Sequence, residues 1–429
     1  MGPRNGPVQF QNSDFCVLPS ERCGTLSSVQ FLVAAFIALG ISTVFAQSGP
    51  TPVTAPAQPA QTAQPVPARQ PTAQDSASRP SFTEWLDGVR SEALARGYRK
   101  ELVDEALSGV EEPMPVVIER DRTQAESVLS IEAYITRQLT ARRVRTGREM
   151  LAKHKATLDK VEATYGVPAR IIGGIWGMES NFGRFSGVRP TIAALATLAF
   201  DPRRSTYFRR ELFNALEILN RGDIDLPRLK GSWAGAMGQP QFMPSSYLQY
   251  AEDFDGDGRR DIWTTPDDVF ASIANYLKGH GWVAGRPWGR EVTVSKNVAN
   301  RIAGAVARRA GTCHATRDMT VPMPLAEWQT LGVRTLTGAA LPKADLEAAL
   351  VSGSSRHFLV DSNYDALLAY NCAHAYALSV AMLGDRLAAA PAAAPARRTP
   401  ARRVAPRKGR AAKSKASQHP TSRRSATRH

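Results

Sequence analysis

The 429-residue sequence predicts a mainly α protein (α+β overall) with a small α/β insertion and disordered termini. Three observations carry that expectation. Apolar residues recur at helical spacing through most of 81–288 and again over 366–387. Between about 289 and 365 the pattern changes to short apolar runs that suit strands, set among helices. The flanking segments 47–80 and 388–429 hold too few large apolar side chains to build a core.

In chain order, residues 31–46 form an apolar run ending in Val-Phe-Ala, which suits a signal peptide spanning 1–46 with cleavage after Ala46. The run is short for a membrane span, which needs about 20 residues; an uncleaved anchor is the competing reading. No cysteine stands at the cleavage point, so a lipid anchor is not supported. Export would leave Cys313 and Cys372 as the only cysteines, in a compartment that permits disulfides, and a bridge between them is a hypothesis on that ground. Residues 47–80 carry 8 prolines among Ala, Gln and Thr and read as a tether.

Helical spacing begins at Phe82 and continues through Leu86, Val89, Ala93, Leu102 and Leu107. It resumes through Ile131, Tyr134, Ile135, Leu139, Met150, Leu151, Leu158, Val161 and Tyr165. Helices are also predicted over 191–200, 207–219 and 267–279, the last with Asp267 as N-cap. Strands are predicted at 291–294, 331–336 and 357–360, with a helix over 344–351 among them. One helical stretch over 363–387 then returns to the main body.

Net charge is +15, but from residue 387 onward there are 12 Lys+Arg and no acid. The body between residues 47 and 386 holds 40 basic against 37 acidic residues and is close to neutral. The excess charge therefore belongs to a tail and gives no ground for a nucleic-acid-binding fold. No Cys/His spacing suits zinc.

The stretch 171–183, Ile-Ile-Gly-Gly-Ile-Trp-Gly-Met-Glu-Ser-Asn-Phe-Gly, reads as a buried helix. Pro168 suits its first turn, and Asn181 with Gly183 its exit. Three interior glycines cost about 1 kcal/mol each relative to alanine, so another helix or a ligand should approach this backbone closely. The run holds one charge, Glu179, in the last turn. Apolar surroundings and the negative end of the helix dipole both raise a carboxyl pKa, which suits a general acid. A buried ion pair with an arginine is the other reading of this stretch.

A second motif, Gly-Ser-Trp-Ala-Gly-Ala-Met-Gly-Gln-Pro-Gln-Phe-Met-Pro-Ser-Ser-Tyr over 231–247, combines small residues, neutral amides and aromatics. Ser232, Gln239 and Gln241 suit sugar hydroxyls and acetamides; Trp233, Phe242 and Tyr247 offer flat faces for sugar rings. A third, Asp-Phe-Asp-Gly-Asp-Gly-Arg-Arg-Asp-Ile-Trp-Thr over 253–264, places Asp253, Asp255 and Asp257 at positions 1, 3 and 5 of a calcium loop. Arg259 would offer its carbonyl, and Asp261 falls at position 9. Thr264 stands where an ordinary loop has Glu. An all-oxygen set favours calcium over zinc.

Together Glu-Ser-Asn-Phe-Gly, Ala-Gly-Ala-Met-Gly-Gln-Pro-Gln-Phe-Met-Pro-Ser-Ser-Tyr and the long calcium-type loop resemble the lytic murein (peptidoglycan) transglycosylase B family over about 81–387. The resemblance implies a lysozyme-like α core with an accessory helical domain within 81–288, a small α/β domain over 289–365 and a return helix over 366–387. It implies cleavage of the β-1,4 bond between N-acetylmuramic acid and N-acetylglucosamine, with a 1,6-anhydromuramoyl product. It makes Glu179 the catalytic acid/base and puts Ser232, Gln241, Phe242, Arg203, Arg204, Tyr276, Tyr370, Asn371 and Tyr376 in the cleft. It supplies Asp267 as the delayed last acid of a structural calcium site. No second acid stands near Glu179 in these motifs, so the sugar's own C6 hydroxyl would replace the second carboxylate of an ordinary glycosidase. A hydrolytic muramidase and a non-catalytic peptidoglycan-binding scaffold are the competing readings. The expected setting is the periplasm or cell envelope, as a monomer without organic cofactor or specific nucleic acid. Its partner would be peptidoglycan strands, with the basic tail meeting anionic wall or membrane surface.

Overall fold

A computed structural model describes residues 80–123 and 129–388. The expected signal peptide, most of the tether, Cys16, Cys23 and the basic tail lie outside the described residues.

The chain opens with α1 (Phe82–Ala95), α2 (Lys100–Ser108), α3 (Pro115–Thr123), α4 (Ile131–Gln138), α5 (Ala141–Lys153) and α6 (Lys155–Tyr165). Local chemistry starts several of them. Ser81 and Glu84 form a reciprocal capping box on α1, and Ser130 and Thr140 cap α4 and α5 through their hydroxyls. Gly166 ends α6 at φ 73°, where a side chain would be strained.

Next comes α7 (Ala169–Ser180), the helix that carries Glu179. Every residue from Ile171 to Ser180 is buried. Helices α5 and α6 and two later ones pack around it, and its glycines explain how closely. A Cβ on Gly173 would meet Leu151 of α5, and one on Gly174 would lie 2.6 Å from the carbonyl oxygen of Val380. Gly177 is filled by the Phe182 ring and Leu383. The approaching element is thus helix rather than ligand. Pro168 stands one place before the first turn, as the N-cap.

After α7 a two-stranded ribbon pairs β1 (Arg189–Pro190) with β2 (Lys230–Gly231), around the hairpin of α8 (Thr191–Phe200) and α9 (Ser205–Arg221). Then follow α10 (Pro244–Tyr250) and α11 (Pro266–Gly279). Asp267 is not the N-cap of α11: Thr265 is, Pro266 holds the first turn, and Asp267 and Asp268 are both inside it.

The remaining chain supplies β3 (Gly289–Thr293), α12 (Lys296–Ala305), α13 (His314–Asp318), β4 (Met323–Pro324), α14 (Leu325–Leu331), β5 (Arg334–Thr335), β6 (Glu347–Ser352) and β7 (His357–Val360). The strands form one antiparallel sheet in the order β4-β6-β7-β3-β5. One side has its own core, including Val292, Val298, Ile302, Trp328, Leu350 and Leu359. Two sequence expectations fail here. The helix predicted over 344–351 is β6, because pairing with β7 buries Ala348 to Val351 and overrides the helical preference of Leu-Glu-Ala-Ala-Leu. The strand predicted over 331–336 shrinks to β5, since Leu331 ends α14 and Gly332 turns the chain at φ 100°.

The last helical stretch is broken in two: α15 (Asn363–Tyr370) and α16 (His374–Ala388) meet at a bend of 119°. Among the described residues no single helix is long and apolar enough to cross a membrane. Glu132 of α4 ties the helices to the sheet. It accepts hydrogen bonds from the backbone N–H groups of Ser355 (2.8 Å) and Arg356 (3.2 Å) in the β6–β7 turn. Gly353 leaves it room.

Candidate active site

The site begins where α7 ends. Asn181, Phe182 and Gly183 all take positive φ (51°, 61° and 77°), so the chain turns sharply away just after Glu179. Glu179 is buried, and the Tyr376 hydroxyl of α16 donates to its Oε1 at 2.5 Å. Burial pushes the carboxyl up to about 8, against the smaller lowering effect of that hydrogen bond. Among the described residues no lysine or arginine forms a salt bridge with it. The ion-pair reading of this acid therefore has no partner here, and the group carries a proton at neutral pH.

The 231–247 motif packs beside this turn. The Gln239 amide oxygen accepts from Trp176 Nε1 (2.7 Å) and its nitrogen donates to the Trp263 carbonyl (2.8 Å), so Gln239 braces α7. Ser232 Oγ accepts from the N–H groups of Ala234 (3.2 Å) and Ala236 (3.1 Å), which folds the loop. Gln241 is held at φ 55°, a strained conformation for a side-chain-bearing residue. Its Nε2 donates to the Gly238 carbonyl at 2.7 Å, while its buried Oε1 has no hydrogen-bond partner among the described residues. Such an acceptor is costly unless something donates to it.

Gln241 lines a cavity of about 290 Å³, together with Phe242, Tyr276, Tyr370 and Asn371. Their rings make a continuous wall, with centroids 5.4 Å apart for Phe242–Tyr276, 4.7 Å for Tyr276–Tyr370 and 6.4 Å for Tyr370–Tyr376. The wall thus runs from the cavity to the tyrosine that touches Glu179. Tyr370 donates to the Pro240 carbonyl (2.7 Å) and Tyr276 to that of Ala369 (2.8 Å). Burial first, and then the neighbouring Glu179, hold the Tyr370 and Tyr376 phenols well above their usual range, so both stay hydrogen-bond donors.

Arg203 and Arg204 are placed differently. Both grip Asp121 of α3, at 2.9 and 3.1 Å, and Arg203 also holds Asp201 at 2.6 Å. Neither lines the cavity; Tyr207, just beyond them on α9, does. Sequence reasoning missed Tyr207, Thr312 and the cystine as cavity residues. Tyr207 lies in the same run as Arg203 and Arg204, but nothing local marks which of the three turns inward. The cystine is real: Cys313 and Cys372 are bonded, with Cα atoms 5.8 Å apart.

The acidic loop gathers Asp253, Asp255 and Asp268, each offering an oxygen within 4.8 Å of the others. The last acid expected was Asp267; in the structure its carboxylate accepts from Thr157 of α6 at 3.2 Å and the oxygen nearest the other two is that of Asp268. Neighbours on a helix point about 100° apart, and the face toward the loop is that of Asp268. Asp257 is also outside the group of three; its Oδ1 accepts from the Arg259 N–H at 2.8 Å. Asp261 caps the turn instead, accepting from the N–H groups of Trp263 and Thr264 at 2.9 Å. Burial pushes Asp268 up to about 6 despite N–H donors from Phe254 and Asp261; the charge of Asp255 adds to the rise. A buried acid beside two others fits a hard cation.

Residues 81–385 match the family described as the transglycosylase SLT domain. Over 154 residues the chain is 47% identical to membrane-bound lytic murein transglycosylase B of Escherichia coli K12, covering 35% of this chain and 42% of that protein. The chain belongs to the lytic murein transglycosylase B family. Among solved members, SltB3 of Pseudomonas aeruginosa in complex with NAG-anhNAM-pentapeptide is 41% identical, with a TM-score of 0.66 over 72% of this chain and 80% of that one. Escherichia coli Slt35 in complex with calcium is 30% identical, with a TM-score of 0.59 over 73% and 94%. The lysozyme-like fold expected of the family is therefore present.

Proposed function

We propose that this transglycosylase cleaves the β-1,4 bond between N-acetylmuramic acid and N-acetylglucosamine in peptidoglycan, leaving a 1,6-anhydromuramoyl end. The observation that carries the reading is a buried, proton-bearing Glu179 held by Tyr376, whose ring lies 6.4 Å from that of Tyr370 in the aromatic wall of the cavity; Glu179 itself does not line that cavity. The SltB3 complex with an anhydromuramoyl ligand supports the same product.

In this reading Glu179 gives its proton to the departing glycosidic oxygen as the muramoyl C1–O bond breaks. The resulting carboxylate takes the proton of the muramoyl C6 hydroxyl as that oxygen bonds to C1, and Glu179 ends as it began. Tyr376 holds Glu179 in place and stabilises the carboxylate between the two transfers. Gln241 Oε1 accepts from a sugar hydroxyl or acetamide, and Phe242, Tyr276 and Tyr370 carry the apolar ring faces. Among the described residues, burial and the Tyr376 hydrogen bond are what shift the Glu179 pKa. A second carboxylate at the roughly 5–9 Å of an ordinary glycosidase would also raise it. Asp253, Asp255 and Asp268, with the Arg259 carbonyl, would hold a calcium ion that ties the acidic loop to α11 and takes no part in the proton transfers. The enzyme would act in the cell envelope, where its substrate lies, and the basic tail would meet anionic wall or membrane surface.

The test is the mass of muropeptides released from purified peptidoglycan. Products lighter by one water than hydrolytic ones are expected. Activity should fall as pH rises through about 8, where Glu179 loses its proton. Glu179→Gln should fold, bind glycan and lose at least about 1,000-fold in turnover, since one group performs both transfers. Hydrolytic ends, or substantial turnover by the variant, would overturn the reading.

A further inference from the structure

We propose that residues 307–321 form a strap, closed by the Cys313–Cys372 bridge, that holds the α15–α16 corner in its working position at the cleft. The inference rests on the proposed glycan cleavage.

The strap follows α12 and leads into β4. At its root, the Val321 N–H donates to the Ala307 carbonyl (2.9 Å) and the Arg309 N–H to that of Met319 (3.0 Å). Thr320 is stitched to β6, donating its N–H to the Leu350 carbonyl (3.2 Å) and accepting the Leu350 N–H on its hydroxyl (2.8 Å). Ala315, between these root contacts, and Met319, within them, are buried in the main core rather than in the sheet's separate one. Two clamps fix it there. The Arg309 guanidinium forks onto Asp365 of α15 at 2.8 and 3.2 Å. At the far end Cys313 is bonded to Cys372.

The clamped corner is a weak point with a demanding task. Residues 371–373 interrupt two helices at a 119° bend, and helix ends open more readily than interiors. Yet Tyr370 and Tyr376, either side of this break, must stay nearly parallel, with ring planes 16° apart, one reaching the Pro240 carbonyl and the other Glu179. Cys372 lies between them. The bridge and Thr312 also form part of the wall of the cavity that Gln241 and Phe242 line. The strap is therefore a positioning device: it touches no reacting atom but sets where Tyr370, Asn371 and Tyr376 stand.

The test uses the full chain with Cys313→Ser and Cys372→Ser together, at 20 °C, with folding checked by circular dichroism. Wild type and variant are compared for kcat and KM in anhydromuropeptide release. The strap predicts a fall in kcat/KM of at least about 10-fold in the folded variant, largely through KM, as expected for mispositioned binding groups. A bridge that merely stabilises would lower the melting temperature and leave kcat and KM unchanged, and that result overturns the proposal. Should the double variant not fold, Arg309→Ala decides the case, since it releases the other clamp and keeps the bridge: a raised KM supports the strap and an unchanged one overturns it. A wild type that releases no anhydro product would instead overturn the functional reading, whereas an active wild type with unaltered variants removes only the strap.

Discussion

Asp267 and Asp268 stand side by side in the first turn of α11, and their carboxylates do different things. Asp268 joins Asp253 and Asp255, whereas Asp267 meets Thr157. Their spacing in the sequence shows that an acid is available there, not which of two neighbours faces the loop. The distinction is testable. Calcium at about 100 times its dissociation constant should stabilise the wild type by about 2.7 kcal/mol, read as a rise in melting temperature that a chelator reverses. Asp268→Asn should abolish the rise and Asp267→Asn retain it. The shift should also weaken as pH falls below about 6, where Asp268 binds a proton in competition with the metal. Glu179 is the opposite case: its residue type, its place at a helix C-terminus and its apolar neighbours already point to a raised pKa.

Helix α7 shows what an element's composition discloses. Its three glycines signal a close approach, and the structure supplies the neighbours, Leu151 on α5 and Val380 and Leu383 on α16. Gly174→Ala should destabilise by about 1–3 kcal/mol, because its Cβ meets backbone that cannot swing aside. Gly88→Ala on the exposed face of α1, where nothing lies within 4 Å, should stabilise by about 0.5–1 kcal/mol. Urea unfolding of the two variants checks both signs; equal effects would mean that α7 is not packed this tightly. Element type was harder to foresee where local preference and partner disagree. Residues 344–351 carry helix formers, and pairing with β4 and β7 makes part of them strand. Residues 363–387 keep an apolar pattern across the corner at 371–373, so the break is invisible to periodicity.

At the scale of the whole molecule, one face of the sheet packs into the main core through Ala349, Val351, Phe358 and Val360, and polar ties add to that junction. Glu132 is the clearest. Burial would raise its pKa, but the Ser355 and Arg356 N–H groups and the Ser354 side chain outweigh that and hold it at about 2. An acid with a lowered folded pKa stabilises above its unfolded value, 4.5, and loses that contribution as pH falls toward about 2. Glu132→Gln should therefore cost about 0.5–1.5 kcal/mol at pH 7, since water screens this part-exposed tie, and the gap from wild type should narrow as the pH falls to 3. A pH-independent gap in urea unfolding would mean that packing, not charge, makes the tie.

The sequence by itself determined the chemistry on offer: one acid in an apolar helix end, glycines that demand close packing, a loop of amides and aromatics, and a cluster of aspartates. These are local properties, set by residue type and short spacing. The tertiary structure alone decided which aspartate turns to the loop, that Arg203 and Arg204 grip Asp121, and that Tyr370 and Tyr376 share one wall with Gln241 and Phe242. Those outcomes depend on side-chain directions and on packing between segments 82 to 197 residues apart in sequence, which no short-range pattern records.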